Sequence, residues 1–171
     1  MNNSDLIGKQ ALSAYCHFNY STNEITIFDT DNISEQSRID EQITAKTTSD
    51  VEVKTRFCHY EDFDGAIMEI HKFKSLKNYS NNKKKYYFCY YPFDECFWLF
   101  DLTDKTEQDM EQTKVLLSIP RTTEIDINDN EKINQWRYNI PYSWGKKYEL
   151  KNKDIETYAI YLQAKKKQQQ L

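Results

Sequence analysis

Ser37-Arg38-Ile39-Asp40-Glu41-Gln42-Ile43-Thr44-Ala45-Lys46-Thr47-Thr48-Ser49-Asp50-Val51-Glu52-Val53-Lys54-Thr55-Arg56 reads as two runs of strand character, residues 38–45 and 50–56, around a polar segment at 46–49. That is the pattern of a β-hairpin. Side chains alternate along a strand, so Val51 and Val53 face one way while Glu52 and Lys54 face the other, about 6 to 7 Å apart at roughly 3.3 Å per residue. With Asp40 on the neighbouring strand, one face would gather two carboxylates and an ammonium. Register decides which acid joins them. A two-residue loop puts Glu41 on the face of Glu52, whereas a three-residue loop or a bulge puts Asp40 there.

Outward from this hairpin, the segments read as alternating strands and helices. Residues 4–15 carry apolar positions at helical spacing behind a capping Ser4, with Asp5 placed well for the helix dipole. Residues 15–20 and 24–29 alternate around Ser21-Thr22-Asn23 and predict a second hairpin. The run from Ala66 is ambiguous between strand and helix. Ile67, Ile70, Phe73 and Leu76 favour a helix over 66–78, with Glu69 and Lys72 on one face. Residues 86–91 and 96–102 form an aromatic hairpin around Pro92-Phe93-Asp94-Glu95. An acidic segment at 104–112 should be exposed, followed by short strands at 115–119, 122–127, 136–140 and 147–150. A last helix is expected over 152–163, and a basic, polar tail over 165–171.

The 171 residues suit one domain, taken as 1–164 plus that tail, and a chain of this length buries enough surface for a single core. Aromatic residues make up 15 % of the chain, which excludes disorder. With 23 basic and 27 acidic residues the net charge is −4, so nucleic-acid binding would rest on local basic patches rather than on an overall field. No apolar run approaches 18 residues, and Met1-Asn2-Asn3-Ser4-Asp5 lacks the pattern of a secretion signal. The expectation is a soluble cytoplasmic protein with no membrane partner. Cys16, Cys58, Cys89 and Cys96 show no C-x2-4-C spacing, so reduced, mostly buried thiols are expected rather than zinc ligands.

Chemically, Asp40, Glu52 and Lys54 suit metal-assisted phosphodiester hydrolysis. Hard carboxylate oxygens hold Mg²⁺ through only one or two protein ligands, and a bound metal acidifies water and neutralises charge developing on phosphate. A nearby lysine serves as a point charge or a proton acceptor. The bland alternative is a Glu-x-Lys pair on an ordinary solvated strand face.

The spacing of Asp40, Glu52 and Lys54, and the order helix, strand, strand with Asp, strand with Glu-x-Lys, helix, resemble the PD-(D/E)xK nuclease superfamily. Small proteins of phages and mobile elements are similar in Glu52-Val53-Lys54-Thr55-Arg56, in Glu69 to Leu76, and in the aromatic hairpin ending Phe100-Asp101-Leu102. The resemblance implies an α/β fold, with a restriction-endonuclease-like mixed central sheet flanked by helices and additional C-terminal β-hairpins. It implies a DNA endonuclease with Mg²⁺ or Mn²⁺ on Asp40 and Glu52, Glu41 in reserve, and Lys54 as the catalytic lysine. Arg56, Lys72, Lys74 and Lys84 would contact nucleic acid. RNA as substrate and a homodimer are compatible with the same site. The first helix has no Glu, so the further acid that many members supply there is missing. A non-catalytic nuclease-fold binding protein, such as a phage inhibitor or an adaptor, is the competing expectation.

Overall fold

The computed structural model describes residues 3–20, 26–29, 41–44, 48–79, 84–120 and 132–168. In chain order these form α1 (Asn3–Asn19), β1 (Thr26–Asp29), β2 (Glu41–Thr44), β3 (Thr48–Thr55), β4 (Gly65–Glu69), α2 (Ile70–Asn78) and β5 (Lys84–Tyr91). They continue with β6 (Cys96–Asp101), α3 (Glu107–Glu111), β7 (Lys114–Pro120), β8 (Lys132–Pro141), β9 (Gly145–Glu149) and α4 (Asn152–Gln168). The protein is therefore a mixed α/β fold. Among the described residues there are two sheets, a six-stranded one ordered β1-β2-β3-β5-β6-β9 and a three-stranded one ordered β4-β8-β7.

The large sheet is mixed because β3 pairs parallel with β5, whereas β1–β2, β2–β3, β5–β6 and β6–β9 are antiparallel. A parallel neighbour requires a crossover, and β4 and α2 supply it. Both faces of the sheet are covered. On one, Ala11, Leu12 and Cys16 of α1 pack with Val51, Val53, Phe88, Tyr90 and Phe97. A Cβ at Gly8 would lie 2.8 Å from Val53 Cγ1 and Thr55 Oγ1, so glycine lets α1 approach β3 closely. Helix α4 joins this layer through Ile155, and Tyr158 and Tyr161 stack near His17 of α1. On the other face Phe73 and Leu76 of α2, Ala66 and Met68 of β4, and Tyr138 and Ile140 of β8 enclose Tyr87, Cys89, Tyr91 and Phe100. Each fully buried side chain of this size contributes about 1.5–3 kcal/mol relative to exposure, which makes the two clusters the main source of stability.

Several sequence expectations change. The strand expected at 15–20 is the last turn and a half of α1. Tyr15 does not alternate in a sheet but packs from the helix against Phe97 and Tyr148, with ring centroids 4.7 and 5.5 Å away. The helix expected from Ala66 begins at Ile70, because residues 65–69 pair with β8, Ala66 opposite Ile140 and Met68 opposite Tyr138. Cross-strand pairing here overrides the helical spacing. Within the acidic segment 104–112, Thr106 caps α3 by accepting from the Asp109 backbone N–H, and Met110 is buried. Helix α4 continues to Gln168, five residues beyond the expected end. The C-terminal hairpin expectation resolves into β7–β8, which builds the second sheet, and β9, which extends the first. The strand expected at 122–127 lies outside the described residues. No described helix is long and apolar enough to cross a membrane. None of the four cysteines forms a disulfide, and only Cys58 is not buried.

Candidate functional site

Strand β3 alternates charged and apolar residues, the pattern of a half-solvated strand, yet from Ser49 to Val53 every residue is buried. The register explains this. Asp50, Glu52 and Lys54 stand opposite Lys85, Tyr87 and Cys89 of β5, so their row faces α2 and the second sheet while Val51 and Val53 face α1. The charged row is thus inside the molecule, and the solvated-face reading of Glu-x-Lys does not hold for Glu52, which is 2 % exposed.

Three ion pairs and a guanidinium–carbonyl hydrogen bond define the row. Asp50 Oδ2 lies 2.6 Å from Lys85 Nζ in the interior. Glu52 Oε1 lies 3.1 Å from Lys72 Nζ, which comes from the first turn of α2. Lys54 Nζ lies 3.7 Å from Glu69 Oε1, at the junction of β4 and α2. At the end of the row the partly buried Arg56 guanidinium donates to the Ile67 carbonyl, which also accepts the Tyr87 hydroxyl at 2.7 Å. Carboxylates and cations therefore alternate across the gap between the sheet and α2. Burial pushes the Glu69 carboxyl up, but the Lys54 ammonium and then the Arg56 guanidinium outweigh it and leave Glu69 below its ordinary range. Glu69 stays ionised beside Lys54.

The residues singled out in the sequence are distributed as follows. Glu52 and Lys54 share a face, and Lys72 joins them. Asp40 lies outside the described residues. Glu41 stands opposite Val51 and Gln42 opposite Asp50, so the position of Glu41 belongs to the valine row rather than the row of Glu52. Arg56 is engaged inward on Ile67. Lys74 is exposed on α2, and Lys84, at the start of β5, lies 3.6 Å from Asp101. Lys146 and Lys147 lie over the rings of Tyr148 and Tyr60 at the sheet edge, at 5.1 and 4.0 Å.

Three members of the row were not singled out as site residues. Asp50 has the same parity as Glu52 and Lys54, a signal present in Asp50-x-Glu52-x-Lys54. Glu69 is readable only as Glu-x-x-Lys with Lys72. Lys85 follows Lys83 and Lys84 in the sequence with nothing local to set it apart, since its partner is 35 residues away.

Glu52 already holds a cation, the Lys72 ammonium, so its carboxylate is set in a position that accepts positive charge. Its hard oxygens suit Mg²⁺ or Mn²⁺. Among the described residues no group of three or more His, Cys, Asp or Glu side chains converges on one point. Two pockets lie apart from the row. One, about 210 Å³, is lined by Leu12, Tyr15, Cys16, Tyr86 and Phe97 on the α1 face. The other, about 500 Å³, is lined by Asp94, Glu95, Cys96, Lys147, Glu149 and Lys151. No family model, curated protein or solved structure matches this chain.

Proposed function

We propose that this chain is a metal-dependent endonuclease of the restriction-endonuclease-like type, acting on DNA and encoded by a phage or mobile element. The observation that carries the reading is a Glu-x-Lys pair on the central strand β3, facing α2, with Glu52 buried and Lys54 half-buried. The order of elements supports it: a helix before β1, three consecutive antiparallel strands, then a crossover through α2 to the parallel β5. Burying a row of charges is expensive and seldom adds stability over an apolar row, so its presence at the middle of the sheet favours a chemical role.

Glu52, with Asp40, would hold Mg²⁺ or Mn²⁺. When bound, that ion supplies Lewis-acid polarisation of a phosphoryl oxygen and an acidified water. Lys54, two residues past Glu52 on the same face, provides a positive charge for the scissile phosphate or, as the neutral amine, accepts a proton from the attacking water. Glu69, ionised 3.7 Å from the ammonium, holds Lys54 in the row. The test is incubation of plasmid, linear and branched DNA, and RNA, with Mg²⁺ or Mn²⁺. Glu52→Ala and Lys54→Ala should each lower cleavage by about a hundredfold or more. Equal activity, or equal inactivity, of wild type and variants rejects the assignment.

A second reading, a non-catalytic binding protein on the same fold, is favoured by the 2 % exposure of Glu52 and its ion pair with Lys72. Calorimetry separates the two. Mn²⁺ binding that Glu52→Gln abolishes supports the nuclease, and absence of metal binding together with affinity for a protein partner supports the adaptor.

A further inference from the structure

We infer that Lys72 is a resident counter-cation of Glu52 that weakens divalent-metal binding until a nucleic-acid phosphate draws its ammonium away, so that metal and substrate bind with positive coupling. The inference rests on the nuclease reading and adds to it a positioning residue from α2.

The geometry places the ammonium on the carboxylate that a metal would share. Lys72 Nζ is 3.1 Å from Glu52 Oε1, within the space a divalent ion on that oxygen would share. Two cations that close, in surroundings where screening by water is weak, repel strongly. An ion on this carboxylate is held more tightly once the ammonium leaves.

The structure also gives Lys72 somewhere to go. Its side chain is 27 % exposed while that of Glu52 is 2 % exposed, so the ammonium spans from solvent to a buried acid. Its four-carbon stem is flexible, and α2 beneath it is fixed by the fully buried Phe73 and Leu76, so the ammonium can swing without the helix moving. Lys72 is in the first turn of a helix that has no acidic residue in that turn. A cation there sits at the unfavourable, positive end of the helix dipole, so the dipole does not oppose its move towards a phosphate. Lys54 is tethered differently, to Glu69, and is not displaced by the same event.

The test is Mn²⁺ binding to the full chain, read from the electron-paramagnetic signal of free Mn²⁺, with and without a short DNA duplex. Wild type, Lys72→Met and Lys72→Arg are compared. Without DNA, Lys72→Met should bind Mn²⁺ about tenfold more tightly than wild type, within the usual range of coupling between sites. DNA should tighten Mn²⁺ on wild type by a similar factor and leave Lys72→Met nearly unchanged. Lys72→Arg, which keeps the charge, should behave as wild type. If wild type binds Mn²⁺ and Lys72→Met binds it no more tightly, the counter-cation role is wrong while the nuclease reading stands. If neither binds Mn²⁺ even with DNA, both fall. The wild-type measurement decides without any variant: a Mn²⁺ affinity indifferent to DNA overturns the inference.

Discussion

The Lys85 ammonium lies 2.6 Å from Asp50 Oδ2, and both side chains are almost wholly removed from solvent. The two residues are direct partners in the parallel β3–β5 ladder, so the sheet itself aligns the pair. Removing one member strands the other charge in the interior. Asp50→Ala should therefore lower stability by about 3–5 kcal/mol, whereas a double change to apolar residues of similar volume should recover most of the loss. Urea denaturation of both variants checks this. An Asp50→Ala loss below about 1 kcal/mol would mean that water reaches Lys85.

The hairpin was legible because period-two alternation and a polar interruption are local signals, and β2 and β3 indeed pair antiparallel. The burial of its charged face was not legible. It depends on α2 and β4, brought over the sheet by pairings of 65–69 with 137–141 that no local pattern encodes. The same reason explains α2: Ile67 and Ile70 are three apart and fit one helical face, but Ile67 belongs to a strand whose partner lies 72 residues on. Tyr15 to Tyr20 failed differently, since aromatic alternation in a short window does not separate a strand from the end of a helix whose rings pack on a sheet. Glu52 and Lys54 were found from sequence as a pair, while their partners Lys72 and Glu69 required the fold.

His59 Nδ1 lies 2.7 Å from Asp94 Oδ1, and Asp94 Oδ2 accepts the Tyr60 backbone N–H at 2.8 Å, tying the link after β3 to the β5–β6 turn. The hydrogen bond to Asp94, then its charge, raises the His59 pKa above 6.5. Burial pushes Asp94 up, but the bonds from His59 and from the Tyr60 N–H together outweigh it and lower its pKa below 3.8. The histidine contribution is complete below about pH 6.5 and is lost as pH rises through the raised folded value, and the aspartate contribution is complete above about pH 3.8 and is lost as pH falls through the lowered one. The melting temperature of wild type minus that of His59→Gln should thus be largest between about pH 4 and 6.5 and shrink above neutrality. A difference that stays unchanged from about pH 5 to about pH 9 contradicts the pairing.

Glu69 owes its depressed pKa chiefly to Lys54, since burial alone acts in the opposite direction. Lys54→Met should raise it. A carboxyl with a lowered folded pKa stabilises above its unfolded value and loses that contribution as pH falls through the folded one. Weakening the depression moves the loss to higher pH, so the acid-unfolding midpoint of Lys54→Met should shift upward. Carbon-13 titration of the Glu69 carboxyl reads the effect directly, and an unchanged midpoint and titration curve would show that Arg56 suffices.

Trp136 and Tyr138 lie two residues apart on the same face of β8, yet Trp136 is 52 % exposed and Tyr138 is fully buried. Lengths account for the contrast. Helix α2 has nine residues and spans about 14 Å, whereas the ten residues of β8 extend about 33 Å, so the helix covers only the half that holds Tyr138 and Ile140. Phe73 of α2 meets the Tyr138 ring edge-on at 5.8 Å, and the Tyr138 hydroxyl donates to Glu111 at 3.2 Å. Trp136 faces Leu116, itself 51 % exposed, across the β7–β8 ladder. Tyr138→Ala should accordingly cost about 3–5 kcal/mol, whereas Trp136→Ala should stay within about 0.5 kcal/mol. Urea denaturation of the two variants, with acrylamide quenching of Trp136 fluorescence, separates them; a large loss from Trp136→Ala would mean that the outer half of the ribbon is covered in solution.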